Sequence, residues 1–308
     1  MSELASGALA GRVAVITGAG GGLGREYALL FAREGASLVL TDLPSPTADD
    51  PLASLVEQIV ADGGRAVAHR GDIAAESTGE ELVAQAVQTF GQLDVLVNNA
   101  GNFREGLITD ASVADFDAVT RVHLRGHFLT TRAAGRYWRG RAEQGRPVSG
   151  SLINTTSRSA LNAIAGHGLY GAAKGGIVVL SMIAAKEFAD YGVRVNCVAP
   201  FARTAMTAGI SILAGNLNEA GTDAAFDPFE PANVAPAVAY LASADCPLTG
   251  ELLFAHGGVV QLYRPWTGAD ELRRDRAWTI AELAERLSGR APDGSSRQLV
   301  NTASVLRR

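Results

Sequence analysis

The chain has 308 residues, 47% of them hydrophobic, and a formal net charge of −5. That length can bury the core of one large α/β domain. The acidic balance excludes the broadly basic footprint of a nucleic-acid binder.

In chain order, short β-type apolar runs alternate with helical periodicity. The pattern predicts a strand over 13–17, a helix over 23–34, a strand over 37–41, a helix over 52–62, a strand over 65–70 and a helix over 80–90. Strands follow over 94–98, 151–155 and 194–198, with a last one over 252–255; long helices over 115–139 and 170–191 lie between them. Such alternation predicts an α/β fold, a single doubly wound Rossmann-type parallel sheet with helices on both faces and right-handed crossovers. Residues 44–51 and 140–150 read as connections, and 215–231, rich in Gly, Asn, Asp and Pro, as a mobile loop. Residues 1–264 are expected to form one α/β domain, and 265–308 a C-terminal extension. Within it Thr279 and Glu282 have capping-box spacing, and Trp278 with Leu283 could staple the helix. Packing or subunit contact is the expected role of that tail.

Two cysteines, Cys197 and Cys246, offer neither a disulfide framework nor metal-ligand spacing, so both are expected to be reduced and buried, and no metal is expected. No run of 18 uninterrupted apolar residues marks a membrane span. Residues 1–12 lack a signal peptide's apolar region, and the expected location is cytoplasmic.

The first strand runs into Thr17-Gly18-Ala19-Gly20-Gly21-Gly22-Leu23-Gly24, and a helix follows. Glycines let a backbone approach a pyrophosphate closely, and a helix N-terminus supplies free N–H groups to it. The spacing is TGxxxGxG rather than GxGxxG. Asp42, with Leu43 after it, ends the second strand 18 residues past Gly24. A carboxylate there can accept from both ribose hydroxyls and would repel a 2′-phosphate, so NAD is expected rather than NADP.

Only two lysines occur, Lys174 and Lys186. Tyr170 and Lys174 are four apart at the start of a helical stretch and so share a face. A tyrosine serving as general base near neutral pH must sit well below its usual value near 10. A neighbouring ammonium and a positive nicotinamide ring are the natural sources of that shift. Ser157, just past a strand, can donate to a substrate oxygen; Thr155, Thr156 and Ser159 beside it also suit a turn.

Taken together these residues resemble the short-chain dehydrogenase/reductase family over roughly residues 9–258. The resemblance assigns TGAGGGLG to the cofactor loop, with Gly18, Gly22, Leu23 and Gly24 in contact, Asp72 and Ile73 to the adenine pair, and Asn98-Asn99-Ala100-Gly101 to the NNAG segment. It makes Ser157, Tyr170 and Lys174 the catalytic serine, tyrosine and lysine, and it places Pro200 to Thr204 at the nicotinamide side. Phe201 departs from the glycine usual there. His123, within Val122-His123-Leu124-Arg125-Gly126, stands where the family has an asparagine whose carbonyl holds a water feeding the lysine. His123 either preserves that relay or simply packs the helix. Residues 122–126 (VHLRG), 24–36 (GREYALLFAREGA), 202–207 (ARTAMT) and 233–241 (NVAPAVAYL) together most resemble one branch, the (3R)-hydroxyacyl-CoA dehydrogenase unit of the peroxisomal multifunctional β-oxidation enzyme.

The resemblance implies a homo-oligomer, a tetramer or dimer, that moves a hydride between NAD and a secondary alcohol, expected to be a 3-hydroxyacyl-CoA or a similar lipid-like molecule. A hydroxysteroid, terpenoid or sugar alcohol is the alternative substrate, and a non-catalytic NAD-binding scaffold or sensor the alternative function.

Overall fold

Residues 13–17 (VAVIT) and 150–155 (GSLINT) are buried along their whole length, as expected of strands covered on both faces. The computed structural model describes residues 7–45, 47, 49–208, 226–264 and 271–288. Its strands are β1 Val13–Thr17, β2 Ser37–Asp42, β3 Arg65–Arg70, β4 Val95–Asn98, β5 Gly150–Thr155, β6 Val193–Pro200, β7 Leu252–His256 and β8 Val259–Tyr263. They form one sheet in the order β3-β2-β1-β4-β5-β6-β7-β8. Ile16 pairs with Leu40 on one side and Val97 on the other, so the strand order reverses at β1. A crevice opens at the carboxyl ends of strands at such a reversal.

The pairings from β3 to β7 are parallel, whereas β8 returns antiparallel along β7, with Leu253 opposite Leu262. The predicted strands end at 252–255, and β8 is not among them. Residues 259–262 are all exposed, so the edge strand lacks an apolar alternation. The available signal was Gly257-Gly258, a two-residue hairpin loop in which Gly257 takes φ +51°.

Helices cover both faces. One layer is α1 Gly22–Arg33, α2 Pro51–Ala61 and a later helix, Ala235–Ala242; the other is α3 Thr78–Phe90, α5 Gly126–Glu143 and α7 Gly168–Glu187. Tyr27, Phe31, Leu55 and Val238 pack the first face, while Leu82, Trp138 and Ala184 pack the second. The cysteines are both free and buried. Helix α7 is long and apolar enough to cross a membrane by length and composition, but 44% of its apolar window is buried inside the fold. It is a core helix with the buried Lys174 on its inner face.

The expected helix over 115–139 is not continuous. It divides into α4 Val113–Thr120, a π turn at Arg121–Arg125 and α5. Short helices α6 Arg158–Asn162 and α8 Ala205–Ala208 follow β5 and β6, with Ala235–Ala242 as α9 and Ile280–Ser288 as α10. The capping box at α10 forms: Thr279 N donates to Glu282 Oε2 at 2.9 Å and Glu282 N to Thr279 Oγ1 at 3.3 Å. Most of the loop expected over 215–231, and much of the tail, lies outside the described residues.

Candidate active site

The glycines after β1 serve different purposes. Gly18 takes φ +65°, and a Cβ there would stand 2.7 Å from Ala100 Cα. Gly22 takes φ +51° beside the Thr204 methyl, and a Cβ on Gly24 would overlap the Gly18 carbonyl. The loop is laced to the end of β4: Asn99 N and Ala100 N donate to Thr17 Oγ1 at 2.9 and 3.0 Å, and Asn99 Nδ2 donates to the Thr17 and Gly18 carbonyls. No side chain caps the N-terminus of α1, leaving its first N–H groups to the crevice. This cradle fits a pyrophosphate.

Asp42 sits at the rim. Its Oδ2 accepts from Gly20 N and its Oδ1 from Leu43 N, both at 2.8 Å. Asp72 accepts from Ala74 N at 2.9 Å and from Arg121 at 2.5 Å. Burial pushes its carboxyl up, but Ala74 N–H and the Arg121 guanidinium outweigh that and hold it below the usual carboxylate range. Ile73 is buried against Gly126, where a Cβ would meet its Cδ1 at 2.6 Å.

At the other end, Lys174 is 2% exposed and donates from Nζ to the Thr155 carbonyl at 2.7 Å. Its Nζ lies 5.5 Å from the centre of the Tyr170 ring. Ser157 caps α6, its Oγ accepting from Ser159 N at 3.1 Å. The expected depression of Tyr170 by the ammonium is not what the chain itself produces. Burial pushes the phenol up to about 12, opposed by the Ser157 hydroxyl, and burial takes Lys174 down to about 7. The charged form of each group loses its hydration, which one partially ionised neighbour does not replace.

His123 occupies the middle of the π turn and has no exposure. Its Nε2 lies 2.6 Å from Asn102 O and 3.2 Å from Asn102 N, so the loop after β4 pins the ring. The ring meets Tyr170 edge-on at 5.1 Å. Burial, then the Lys174 charge, hold its imidazole well below the ordinary histidine range. The side chain therefore packs the helix junction and faces the tyrosine as a neutral ring.

One cavity of about 960 Å³ collects the predicted site residues from Gly18 to Thr204, with the exception of Gly24, which acts beneath it through the Gly18 carbonyl. Sequence reasoning missed several of its walls. Phe103 stands edge-on to both His167 and Tyr170 at 5.0 Å. The Arg158 guanidinium lies over Phe201 at 5.0 Å and Phe254 at 5.8 Å. Phe201 does not spoil the turn after β6: its N–H donates to Ala255 O at 3.0 Å, and its ring packs on Phe229 and His256. These contacts come from separate crossovers, so no spacing in the chain announced them.

His127, one turn beyond His123, is also fully buried, and neither ring nitrogen has a well-aligned hydrogen-bond partner. Burial, then the Lys174 charge, lower it to about 3, with the nearby carbonyls of Asn98 and His123 opposing in part. Its unfolded value is near 6.5, so between those limits the unfolded chain binds the extra proton. The stability is complete above about pH 6.5 and is lost as pH falls towards 3, by about 3 kcal/mol at pH 4. Urea unfolding of His127→Leu should show a shallower loss of stability between pH 7 and 4.5 than the native chain. Parallel pH dependences would contradict this.

Residues 18–260 match the family model described as Enoyl-(Acyl carrier protein) reductase. The hydroxyacyl-CoA dehydrogenase ChsB1 of Mycobacterium tuberculosis is 41% identical over 93% of this chain and 92% of its own length. The peroxisomal multifunctional enzyme type 2 of Drosophila melanogaster is 37% identical over 80% of this chain but only 39% of its own. Among solved structures, a short chain dehydrogenase from Mycobacterium avium is 39% identical, with a TM-score of 0.82, over 92% of this chain and 95% of that one. Another, from Burkholderia cenocepacia in complex with NADP, is 29% identical with a TM-score of 0.70, over 81% and 98%.

Proposed function

The chain belongs to the short-chain dehydrogenase/reductase family, and we propose that it is an NAD-dependent dehydrogenase of 3-hydroxyacyl-CoA thioesters. The likeness to a hydroxyacyl-CoA dehydrogenase along nearly the whole of both chains carries the substrate reading. The aromatic wall of Phe103, Phe201 and Phe229 gives a lipid-like substrate an apolar surface.

Asp42 supports NAD: a carboxylate at the rim receives ribose hydroxyls and repels a 2′-phosphate. Bound in the cradle, the nicotinamide would accept or return the hydride. In alcohol oxidation Ser157 donates to the substrate oxygen, and Tyr170 takes the hydroxyl proton as the carbonyl forms. Lys174, fixed by Thr155 O, holds its Nζ 5.5 Å from the centre of the Tyr170 ring, where its charged form favours the phenolate. His123 and Phe103 hold the Tyr170 ring edge-on from two sides. Asp72 and Ile73 line the adenine side, and Pro200 to Thr204 the nicotinamide side. The assembled Ser157, Tyr170 and Lys174 favour turnover over a mere sensor.

Following NADH absorbance across a panel tests this. Oxidation of 3-hydroxyacyl-CoA should exceed that of hydroxysteroids, terpenoid alcohols and sugar alcohols by about 100-fold or more in kcat/KM. Formation of no NADH from any 3-hydroxyacyl-CoA would reject the substrate. The reading includes a homo-oligomer: Phe128, Val179 and Ile183 expose apolar area on the outer faces of α5 and α7. Light scattering should give a dimer or tetramer, and a monomer at micromolar concentration would count against it. Unpaired Cys197 and Cys246 suit a reducing cytoplasm.

A further inference from the structure

We propose that Arg158 is a specificity-determining residue that receives the acyl oxygen at C1 of the substrate. The inference deepens the reading of the chain as a 3-hydroxyacyl-CoA dehydrogenase and rests on it.

Arg158 follows Ser157 directly and opens α6, on the wall of the large cavity. Its side chain is half-buried. The guanidinium carbon lies 5.0 Å from the centre of the Phe201 ring and 5.8 Å from that of Phe254, so the turn after β6 and β7 itself both hold the group. Phe201 is fixed in turn by Phe229 and His256, and the cation rests on a packed platform. A guanidinium laid against aromatic rings keeps its N–H donors in its own plane, at the edge that the rings leave open.

The donors and the charge have no protein partner. Arg158 makes no ion pair and no hydrogen bond among the described residues. Arg194, of similar burial, spends its donors on the Leu241 and Ser243 carbonyls. The carboxylates lining the cavity are Asp42 and Asp72, both at the cofactor end, and Asp72 is already paired with Arg121. Lys174, the other lysine or arginine on the cavity wall, is committed to Thr155 O. Arg158 is therefore the cation left to meet an occupant of the substrate end. Its place says which atom it meets. The hydroxyl to be oxidised sits at Ser157, one residue back along the chain. In a 3-hydroxyacyl thioester the acyl carbonyl stands on the next carbon but one from the reacting carbon, whereas the CoA phosphates lie beyond the whole pantetheine arm. The acyl oxygen is the acceptor within an arginine's reach. A free carboxylate would present the same oxygen with added charge. With the C3 oxygen held at Ser157 and the C1 oxygen at Arg158, the reacting carbon is oriented by two anchors, and an alcohol without the acyl group has only one.

Arg158→Met keeps an aliphatic stem against Phe201 and removes the donors. NADH formation is followed for the native chain and this variant with 3-hydroxyoctanoyl-CoA, the 3-hydroxyoctanoyl thioester of N-acetylcysteamine, free 3-hydroxyoctanoate and heptan-2-ol, which is the same alcohol without its acyl carbon. The preference for both thioesters over heptan-2-ol, in kcat/KM, should shrink about 10- to 100-fold in the variant, with Tm and NADH affinity at native values. Titration of the 3-oxooctanoyl thioester of N-acetylcysteamine into the NAD-loaded chain should show weaker binding in the variant without any turnover. Unchanged thioester kcat/KM and binding, or equal losses on heptan-2-ol, would overturn the inference while leaving the assigned substrate intact. A loss confined to the CoA ester would place Arg158 on a phosphate and overturn it too. A native chain that oxidises the free acid but neither thioester, with an Arg158-dependent loss, would reject the CoA reading and identify a carboxylate as the source of the oxygen. Oxidation of none of the three acyl compounds would reject both.

Discussion

Replacing Tyr170 by phenylalanine should lower kcat by about 10²–10⁴-fold in both directions, while NADH still binds. The ring keeps its edge contacts with Phe103 and His123 and loses only the hydroxyl that carries the proton. The pH dependence follows from the environment of that hydroxyl. Burial pushes the phenol up to about 12 in the chain itself, so it is protonated at pH 7. Ketone reduction needs the phenol and should stay level across the neutral range, falling only as pH approaches the Tyr170 value. Alcohol oxidation needs the proton acceptor and should rise with pH. Positive charge near the phenol oxygen lowers the pH at which that rise begins. Lys174 stands at about 7, so its charge acts at and below neutrality, and Lys174→Met should slow oxidation there while converging on the native rate at higher pH. Rates measured in both directions across pH 5–10 check this. Near-native activity in Tyr170→Phe would sink the mechanism.

Asp42→Ala combined with Leu43→Arg should reverse the cofactor preference. The native chain should favour NAD over NADP by about 10²–10³-fold in kcat/KM, which corresponds to roughly 3–4 kcal/mol. The carboxylate is fixed by Gly20 N and Leu43 N, so it cannot swing away from a 2′-phosphate without giving up both bonds. Like charges in such proximity cost several kcal/mol. Removing Asp42 lifts the repulsion and also removes an acceptor for the ribose hydroxyls, so the NAD constant worsens as the NADP constant improves. An arginine at 43, where the leucine is 61% exposed, can meet the phosphate at no cost to the core. Initial rates with both nucleotides decide the matter. A native preference for NADP, or an unchanged ratio in the double variant, would show that Asp42 does not select the cofactor.

Chemistry that depends on neighbours along the chain was legible in the sequence. The strand, the glycine run and the helix after it occur within 13–33, and they place Gly18, Gly22 and Gly24 where close backbone approach requires them. Tyr170 and Lys174 share a face of α7 because four residues make about one helical turn. The buried strands read as apolar runs for the same local reason. The edge strand β8 escaped because it is exposed, and the π turn because its i→i+5 bonding leaves no periodic mark over five residues.

The order of ionisation in the site was decided only by the tertiary structure. Spacing could bring the ammonium towards the phenol, but not say that both would lose water as Thr155, His123 and Phe103 closed around them. Desolvation then outweighs their attraction, raising Tyr170 and lowering Lys174. Phe201 stopped being a defect once β7 and the segment before α9 supplied its partners. Ser159 and His167, eight residues apart, came within 2.9 Å of one another only when the start of α7 folded back over α6. Local sequence determined which reactive groups the protein carries and on which elements. Packing determined their charge and aim, because those depend on burial and on partners from distant strands.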